Sequence, residues 1–255
     1  MKLSIITIFR LGEITELIKT LNSIKQQTCL PYQHLLIISN IDDITEFKKR
    51  LDYTQGSFIL NEDRSLYDAM NIGLQHADGD AVYFLNGGDQ LHSINAIKII
   101  IDKMKLNVGC LLFRTIQYYK NDGYIRPKLN KIHTLKKFPA HQGFVAKLAV
   151  AKQYKFKDSP HAINSDLLWM RSIINELSVL ICPEIIANFS LGGVSNLPSL
   201  STCKMRTIES GLSKGIIEFC KFILYKILNG RQYYRYLYFR KYEYIDLTTF
   251  KKLEK

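Results

Sequence analysis

The chain has 255 residues, 47% of them hydrophobic, enough for one large α/β domain with an appendage or for two small domains, and it carries no repeat or low-complexity segment. Its net charge of +12 calls for an anionic partner: nucleic acid, an anionic bilayer surface or a phosphorylated substrate. Five scattered cysteines without a CxxC pair argue against a disulfide framework and against cysteine-held zinc, and point to reduced thiols on a cytosolic face. No stretch offers the roughly 18 uncharged apolar residues of a membrane span.

Taken in order, Leu3 to Phe9 reads as a buried parallel strand rather than a signal peptide, because Arg10 and Glu13 follow at once and no small-residue cleavage site is present. Glu13 to Gln26 has helical spacing, with Ile14, Leu17, Ile18, Leu21 and Ile24 on one face. His34 to Ser39 is a second buried strand and Phe58 to Leu60 a third. The acidic loop Asn61-Glu62-Asp63-Arg64 then opens a helix from about Leu66 to His76. Tyr67, Asp68 and Asn71 fall within about one turn and share a face, although Asp68 also suits a helix first turn on dipole grounds alone.

A turn delivers the strand Ala81 to Leu85, which ends in Asn86-Gly87-Gly88-Asp89. Ligands of open α/β sheets bind where strands end at their carboxyl edge. A carboxylate there, beside two glycines, can face a metal and a phosphate closely. Ile94 to Met104 reads as a helix, Cys110 to Thr115 as a strand, and Gln117 to Arg126 as a hairpin turning at Asn121-Asp122-Gly123. Lys128 to Pro139 is basic and irregular, and Ile185 to Phe189 is a late strand.

The combined pattern Tyr67-Asp68-Ala69-Met70-Asn71 and Phe84-Leu85-Asn86-Gly87-Gly88-Asp89 resembles the inverting family 2 glycosyltransferases of the GT-A fold, of the bacterial envelope-polysaccharide type. The resemblance covers roughly Met1 to Asn196. It implies an α/β fold with a Rossmann-like, mostly parallel central sheet and a smaller mixed region on the acceptor side. It also implies a nucleotide-sugar donor, a glycan or lipid-linked glycan acceptor, and a divalent cation, Mg²⁺ or Mn²⁺.

By the same resemblance, Thr7, Phe9 and Arg10 cradle the nucleotide. Ile8 and Arg10 replace the usual Pro and Asn, and Arg10 is placed to meet a diphosphate. Ser39-Asn40 stand where the family has an Asp, with Asp42 and Asp43 as substitutes unless they only open the next helix. Asp63, Arg64, Tyr67, Asp68, Asn71, Asn86, Gly87 and Gly88 are implied around the nucleotide-sugar. Asp89 is the one carboxylate left of the family's acidic strand-end pattern and the implied metal ligand. His141-Gln142-Gly143-Phe144 resembles H-Q-x-x-F and would bind donor or acceptor hydroxyls.

Ala162 to Trp169 resembles the segment that carries the catalytic base, which falls on Asp166. A helix N-cap is the plainer reading of Ser165-Asp166, and Asp158 is a rival base. Phe189 to Ser195 resembles F-x-x-G-G-V-S, with Gly192 and Gly193 closing over the diphosphate or merely making a turn.

Pro198 divides a catalytic domain, 1–198, from a basic, aromatic-rich helical tail, 199–255. From Cys203 onward the chain has 12 Lys and Arg against five Asp and Glu. Basic residues beside apolar and aromatic ones suit a lipid headgroup boundary, so the tail is expected to lie on the inner face of the cell membrane, or to dock on the protein itself. A nucleic-acid-binding protein and a non-catalytic transferase relative are the alternatives. The first is not expected, since the basic residues concentrate in the tail and the acidic loop would repel phosphate.

Overall fold

The computed structural model describes residues 1–10, 14–39, 44–51, 53–60, 65–157, 164–191 and 197–248. Its N-terminal half alternates strand and helix: β1 (Leu3–Phe9), α1 (Ile14–Lys25), β2 (Gln33–Ile38), α2 (Ile44–Leu51), β3 (Ser57–Leu60), α3 (Leu66–His76) and β4 (Ala81–Phe84). These strands lie parallel in the order β3-β2-β1-β4, with Ile6 of β1 between Leu35 and Phe84. Helical crossovers go with parallel pairing, and burial on both faces suits the largely apolar runs seen in β1 and β2.

The second half is mixed. It comprises β5 (Gln90–Leu91), α4 (Ala96–Met104), β6 (Cys110–Tyr119), β7 (Asp122–Arg126), two 3₁₀ segments (Leu129–Lys136 and His141–Gly143), β8 (Phe144–Lys147), α5 (Leu148–Ala151), α6 (Ser165–Glu176) and β9 (Val179–Ser190). The sheet continues from β4 through antiparallel β8 to β6, where β9 pairs in parallel along nearly its whole length. That pairing explains why β6 and β9 run well past the expected Cys110–Thr115 and Ile185–Phe189.

Each face of the sheet is covered. Met70 and Leu74 of α3 pack with Trp169, Met170 and Ile173 of α6 on one side. Ile24 of α1 and Ile97, Ile100 and Met104 of α4 pack on the other. The helix that carries Tyr67 and Asp68 is fixed at its start. Ser65 caps α3 by accepting from the Tyr67 and Asp68 N–H groups, each at 3.1 Å.

One turn differs from expectation. Tyr119 pairs with Asp122, so the hairpin loop is Lys120-Asn121, with Lys120 at φ 55°, and Asp122-Gly123 belong to β7. Tertiary contacts decide this. Ile245 packs where a Gly123 Cβ would sit, 2.6 Å away, and the Asp122 carboxylate is buried under two arginines of the tail.

The tail forms α7 (Leu200–Ser210), α8 (Leu212–Ile227), α9 (Gly230–Tyr238) and β10 (Glu243–Asp246). β10 joins the sheet as the antiparallel neighbour of β7, and Tyr233 and Tyr234 of α9 are buried with Tyr124. Arg231 grips Asp122 through Nε and NH2, both at 2.8 Å, and the Tyr244 hydroxyl donates to the same carboxylate at 3.0 Å. α8 is different: Ile216, Phe219, Ile223 and Ile227 form an exposed apolar stripe at helical spacing. Among the described residues, no helix is long and apolar enough to cross a membrane.

Candidate active site

The ends of β1, β4 and the 3₁₀ segment at His141 meet the N-termini of α3 and α6 at the carboxyl edge of the parallel strands. The loop after β4 is held from two sides. Gly87 N–H donates to the Ile8 carbonyl at 3.0 Å, and Gly88 N–H donates to Thr20 Oγ1 of α1 at 2.9 Å. Gly88 has φ +99°, a conformation that favours glycine, so the turn into Asp89 depends on it. Thr20 is fully buried on the apolar face of α1. Its hydroxyl is a positioning element that the motif reading missed; a lone Thr within an apolar helix face was the available signal.

Asp89 is 9% exposed and accepts from Gln142 Nε2 at 3.2 Å. Its carboxylate also lies 3.8 Å from His141 Nε2. The other ring nitrogen, Nδ1, lies 3.3 Å from Asp166 Oδ2. His141 therefore bridges the carboxylate of the β4 loop and that of α6, residues far apart in the chain. The Asn86 amide nitrogen is 3.3 Å from His141 Nε2, and the Tyr67 hydroxyl reaches Asp166 Oδ1 at 3.5 Å. Six expected residues, Tyr67, Asn86, Asp89, His141, Gln142 and Asp166, thus form one contiguous cluster.

Asp166 is not the N-cap of α6; Asn164 takes that place and Asp166 sits in the first turn. Burial acts to raise its carboxyl, but hydrogen bonding and charge from His141 and the backbone N–H of Leu167 outweigh it and hold the carboxyl below its ordinary value. Burial likewise opposes charge on His141, yet contacts with Asp166 and then Asp89 push the imidazole up to about 9. The Tyr67 phenol is raised, first by burial and then by Asp166.

α6 is anchored by aromatic packing. Trp169, three residues after Asp166, stacks on Phe156 with ring centroids 4.6 Å apart and meets Phe84 edge-on at 5.7 Å. Tail helix α7 also reaches the start of α6, where the Asn164 amide donates to Glu209 at 2.9 Å. Further along α6, Arg171 donates to the Lys137 carbonyl at 2.7 Å.

Other expected residues are placed differently. Thr7 is fully buried, its hydroxyl 2.9 Å from Nε2 of His34, whose imidazole burial lowers to about 3. Ser39 is also fully buried at the end of β2, its Oγ without a partner among the described residues. Asn71 uses both ends of its amide inside the fold, donating to the Phe156 carbonyl at 2.9 Å and accepting from its N–H at 2.8 Å. Phe9 stacks on Phe47 at 5.9 Å, Arg10 follows at the β1 edge, and Asp68 lies in the first turn of α3. Asp63, Arg64, Gly192 and Gly193, with Asn40, Asp42, Asp43 and Asp158, lie outside the described residues.

The family model described as Glycosyl transferase family 2 matches residues 4–174, about two thirds of the chain and every element that builds the cluster. The chain belongs to that family. No curated protein sequence matches it. Among solved structures, residues 1–349 of S. aureus TarS in complex with UDP-GlcNAc align with a TM-score of 0.56 at 16% identity, over 93% of this chain and 76% of that one. The same TarS fragment in another crystal structure aligns at 0.55 and 15%, over 92% and 74%. A mannosyltransferase from Pyrobaculum calidifontis, in complex with GDP-Man and Mn²⁺, aligns at 0.54 and 12%, over 88% and 64%. At these identities the likeness concerns the fold, which is the α/β, GT-A arrangement expected from the sequence.

The family assignment raises the question of a cation. No group of three or more His, Cys, Asp or Glu side chains poised for a metal occurs among the described residues. The donors at the β4 loop nevertheless suit a hard cation. The Asp89 carboxylate is accompanied by Asn86 Oδ1, a buried oxygen without a hydrogen-bond partner among the described residues. Hard divalent cations take oxygen ligands, often only one or two from protein with the rest from substrate phosphates and water.

Proposed function

We propose that the protein transfers a hexose-type sugar from a nucleoside-diphosphate donor to a hydroxyl of a glycan acceptor, with inversion at the anomeric carbon. The observation that carries this reading is Asp166, held as a carboxylate at the start of α6 by His141. In the reaction, the acceptor hydroxyl attacks the anomeric carbon and its proton passes to Asp166. The bond from that carbon to the diphosphate oxygen breaks on the opposite face, and the nucleoside diphosphate leaves with the electron pair. Tyr67 and His141 fix the Asp166 carboxylate so that a free lone pair faces the acceptor.

Asp89 and Asn86 would hold Mg²⁺ or Mn²⁺, which when bound neutralises charge on the departing diphosphate. TarS and the mannosyltransferase, crystallised with UDP-GlcNAc and with GDP-Man and Mn²⁺, support a nucleotide-sugar donor and such an ion. The acceptor in this reading is a lipid-linked cell-surface polysaccharide met at the inner leaflet. The support for that location is the exposed apolar stripe of α8, with Lys221 and Lys226 on the same helix, within a strongly basic tail. The tail, 199–255, is then an appendage to the catalytic unit of 1–198.

Two measurements test the reading. Melting temperature against a panel of nucleoside diphosphates, with and without Mn²⁺ or Mg²⁺, identifies the base; one nucleotide should stabilise the protein with metal and fail to do so in Asp89→Ala. Release of nucleoside diphosphate from the matching sugar donor should fall on the order of 10²–10⁴-fold in Asp166→Asn while nucleotide binding is retained. Full turnover in Asp166→Asn removes Asp166 as the base. Nucleotide binding without any turnover in the wild type favours a non-catalytic relative.

A further inference from the structure

A second concavity lies beside the reaction centre and contains none of the donor-site residues. It is a groove of about 980 Å³ between the C-terminal part of α1, the β5 segment, the tip of the β6–β7 hairpin and β9. It begins at Gln90, the residue after Asp89, and Tyr118 of β6 also lines it. The α1 wall is joined to the Asp89 loop, because Thr20 of α1 accepts from the Gly88 N–H at 2.9 Å.

The lining has a distinct chemistry. Asn22 of α1, Gln26 just after it, Gln90 and Asn121 of the hairpin tip bring planar amides, groups that can both donate and accept, and Asn188 of β9 adds another whose oxygen lies 2.9 Å from His92 Nδ1. Leu91, Ile116 and Leu247 supply apolar surface between them. No Asp or Glu lines the groove, and its charged groups are Lys19 and Lys120. The wall from Asn22 to Gln27 is the last turn of α1 and the turn that follows it. Amides for hydroxyls and aliphatic patches for the C–H faces of sugar rings describe a site for glycan.

We infer that this groove is a subsite for an oligosaccharide segment of the acceptor, holding sugars remote from the hydroxyl that reacts. The inference rests on the transfer reading above. It also gives the end of the chain a place in recognition. Leu247 N–H donates to the Asn121 carbonyl at 2.9 Å, and Arg231 and Arg235 hold the adjacent Asp122, so the docked tail forms and fixes one wall. Remote contacts of this kind raise affinity for a long acceptor over a short one without touching the donor.

The test is a printed array of bacterial surface glycans, probed with the full chain and with Asn22→Trp/Gln26→Trp, two exposed positions in the last turn of α1 and just after it. Asn121→Ala serves as a second, milder variant. The wild type should retain at least one oligosaccharide, with affinity for that glycan falling roughly 10-fold or more in both variants. Hydrolysis of the nucleotide-sugar donor should stay unchanged in both. Glycan retention by variants that still hydrolyse donor, or no glycan retained by a wild type that does so, overturns the groove alone. Absence of donor binding and hydrolysis in the wild type strikes the transfer reading instead.

Discussion

Asn71 offers the sharpest test of how the helix motif is used, because its residue type suits a ligand contact and its geometry serves the fold. Its amide closes two hydrogen bonds on the backbone of Phe156, at 2.9 and 2.8 Å, across 85 positions of chain. That residue presents its ring to Trp169, Phe84 and Tyr67, and so supports the helix carrying Asp166. In Asn71→Ala both bonds vanish and the Phe156 N–H and carbonyl lose their partners. At a net contribution of about 1 kcal/mol for each bond, the loss comes to about 2 kcal/mol, more where water cannot replace the amide. For a chain of this size that corresponds to a fall in melting temperature of roughly 4–8 °C. Trp169 is the single tryptophan, so its fluorescence reports on the same packing during the melt. Nucleotide affinity measured well below the transition should be unchanged. A melting temperature within about 1 °C of the wild type, or a loss of nucleotide affinity at unchanged stability, would refute the reasoning and return Asn71 to the donor site.

Other outcomes follow from the same contacts. His141→Ala removes the bond that keeps Asp166 ionised against burial, so the Asp166 pKa should rise and the acid limb of the pH–rate profile move to higher pH, with turnover at neutral pH down on the order of 10-fold; an unmoved limb would argue against the bridge. The Asp122 carboxyl is held below the ordinary range, chiefly by its hydrogen bond from Arg231 and against burial. Its contribution to stability is therefore complete above the unfolded value near ~4 and is lost as pH falls through its own lower value. Asp122→Asn should melt below the wild type at neutral pH, with the gap closing in acid, and a gap independent of pH would contradict this. The α8 stripe predicts sedimentation with phosphatidylglycerol vesicles in preference to phosphatidylcholine, weakened by salt and abolished by Ile216→Glu/Phe219→Glu. Equal recovery with both lipids would count against an anionic membrane surface.

Much was legible in the sequence because it is local. β1 and β2 declare themselves by short, largely apolar runs, as buried parallel strands do, and α3 spans Leu66 to His76 as its spacing predicts. The turn Asn86-Gly87-Gly88-Asp89 places a carboxylate at a strand end because glycine alone adopts the backbone required at Gly88 without strain. The family resemblance marked Asp89, His141 and Asp166 as candidates, because its motifs are short and can be matched along the chain. What spacing does not encode is which groups face each other after folding. Thr7 and Asn71 have polar side chains suited to a ligand, yet each satisfies a buried partner within the protein. Asn121-Asp122-Gly123 reads as a turn by local preference, but the loop falls on Lys120-Asn121 because a buried carboxylate must meet Arg231 and Arg235 from residues more than 100 positions away. The bridge from Asp89 through His141 to Asp166 likewise exists only once β4, the segment after β7 and α6 are packed together. Backbone preference acts over a few residues and is written in order along the chain; hydrogen bonds and charge pairs act over ångströms between parts of the chain that only the tertiary structure brings close.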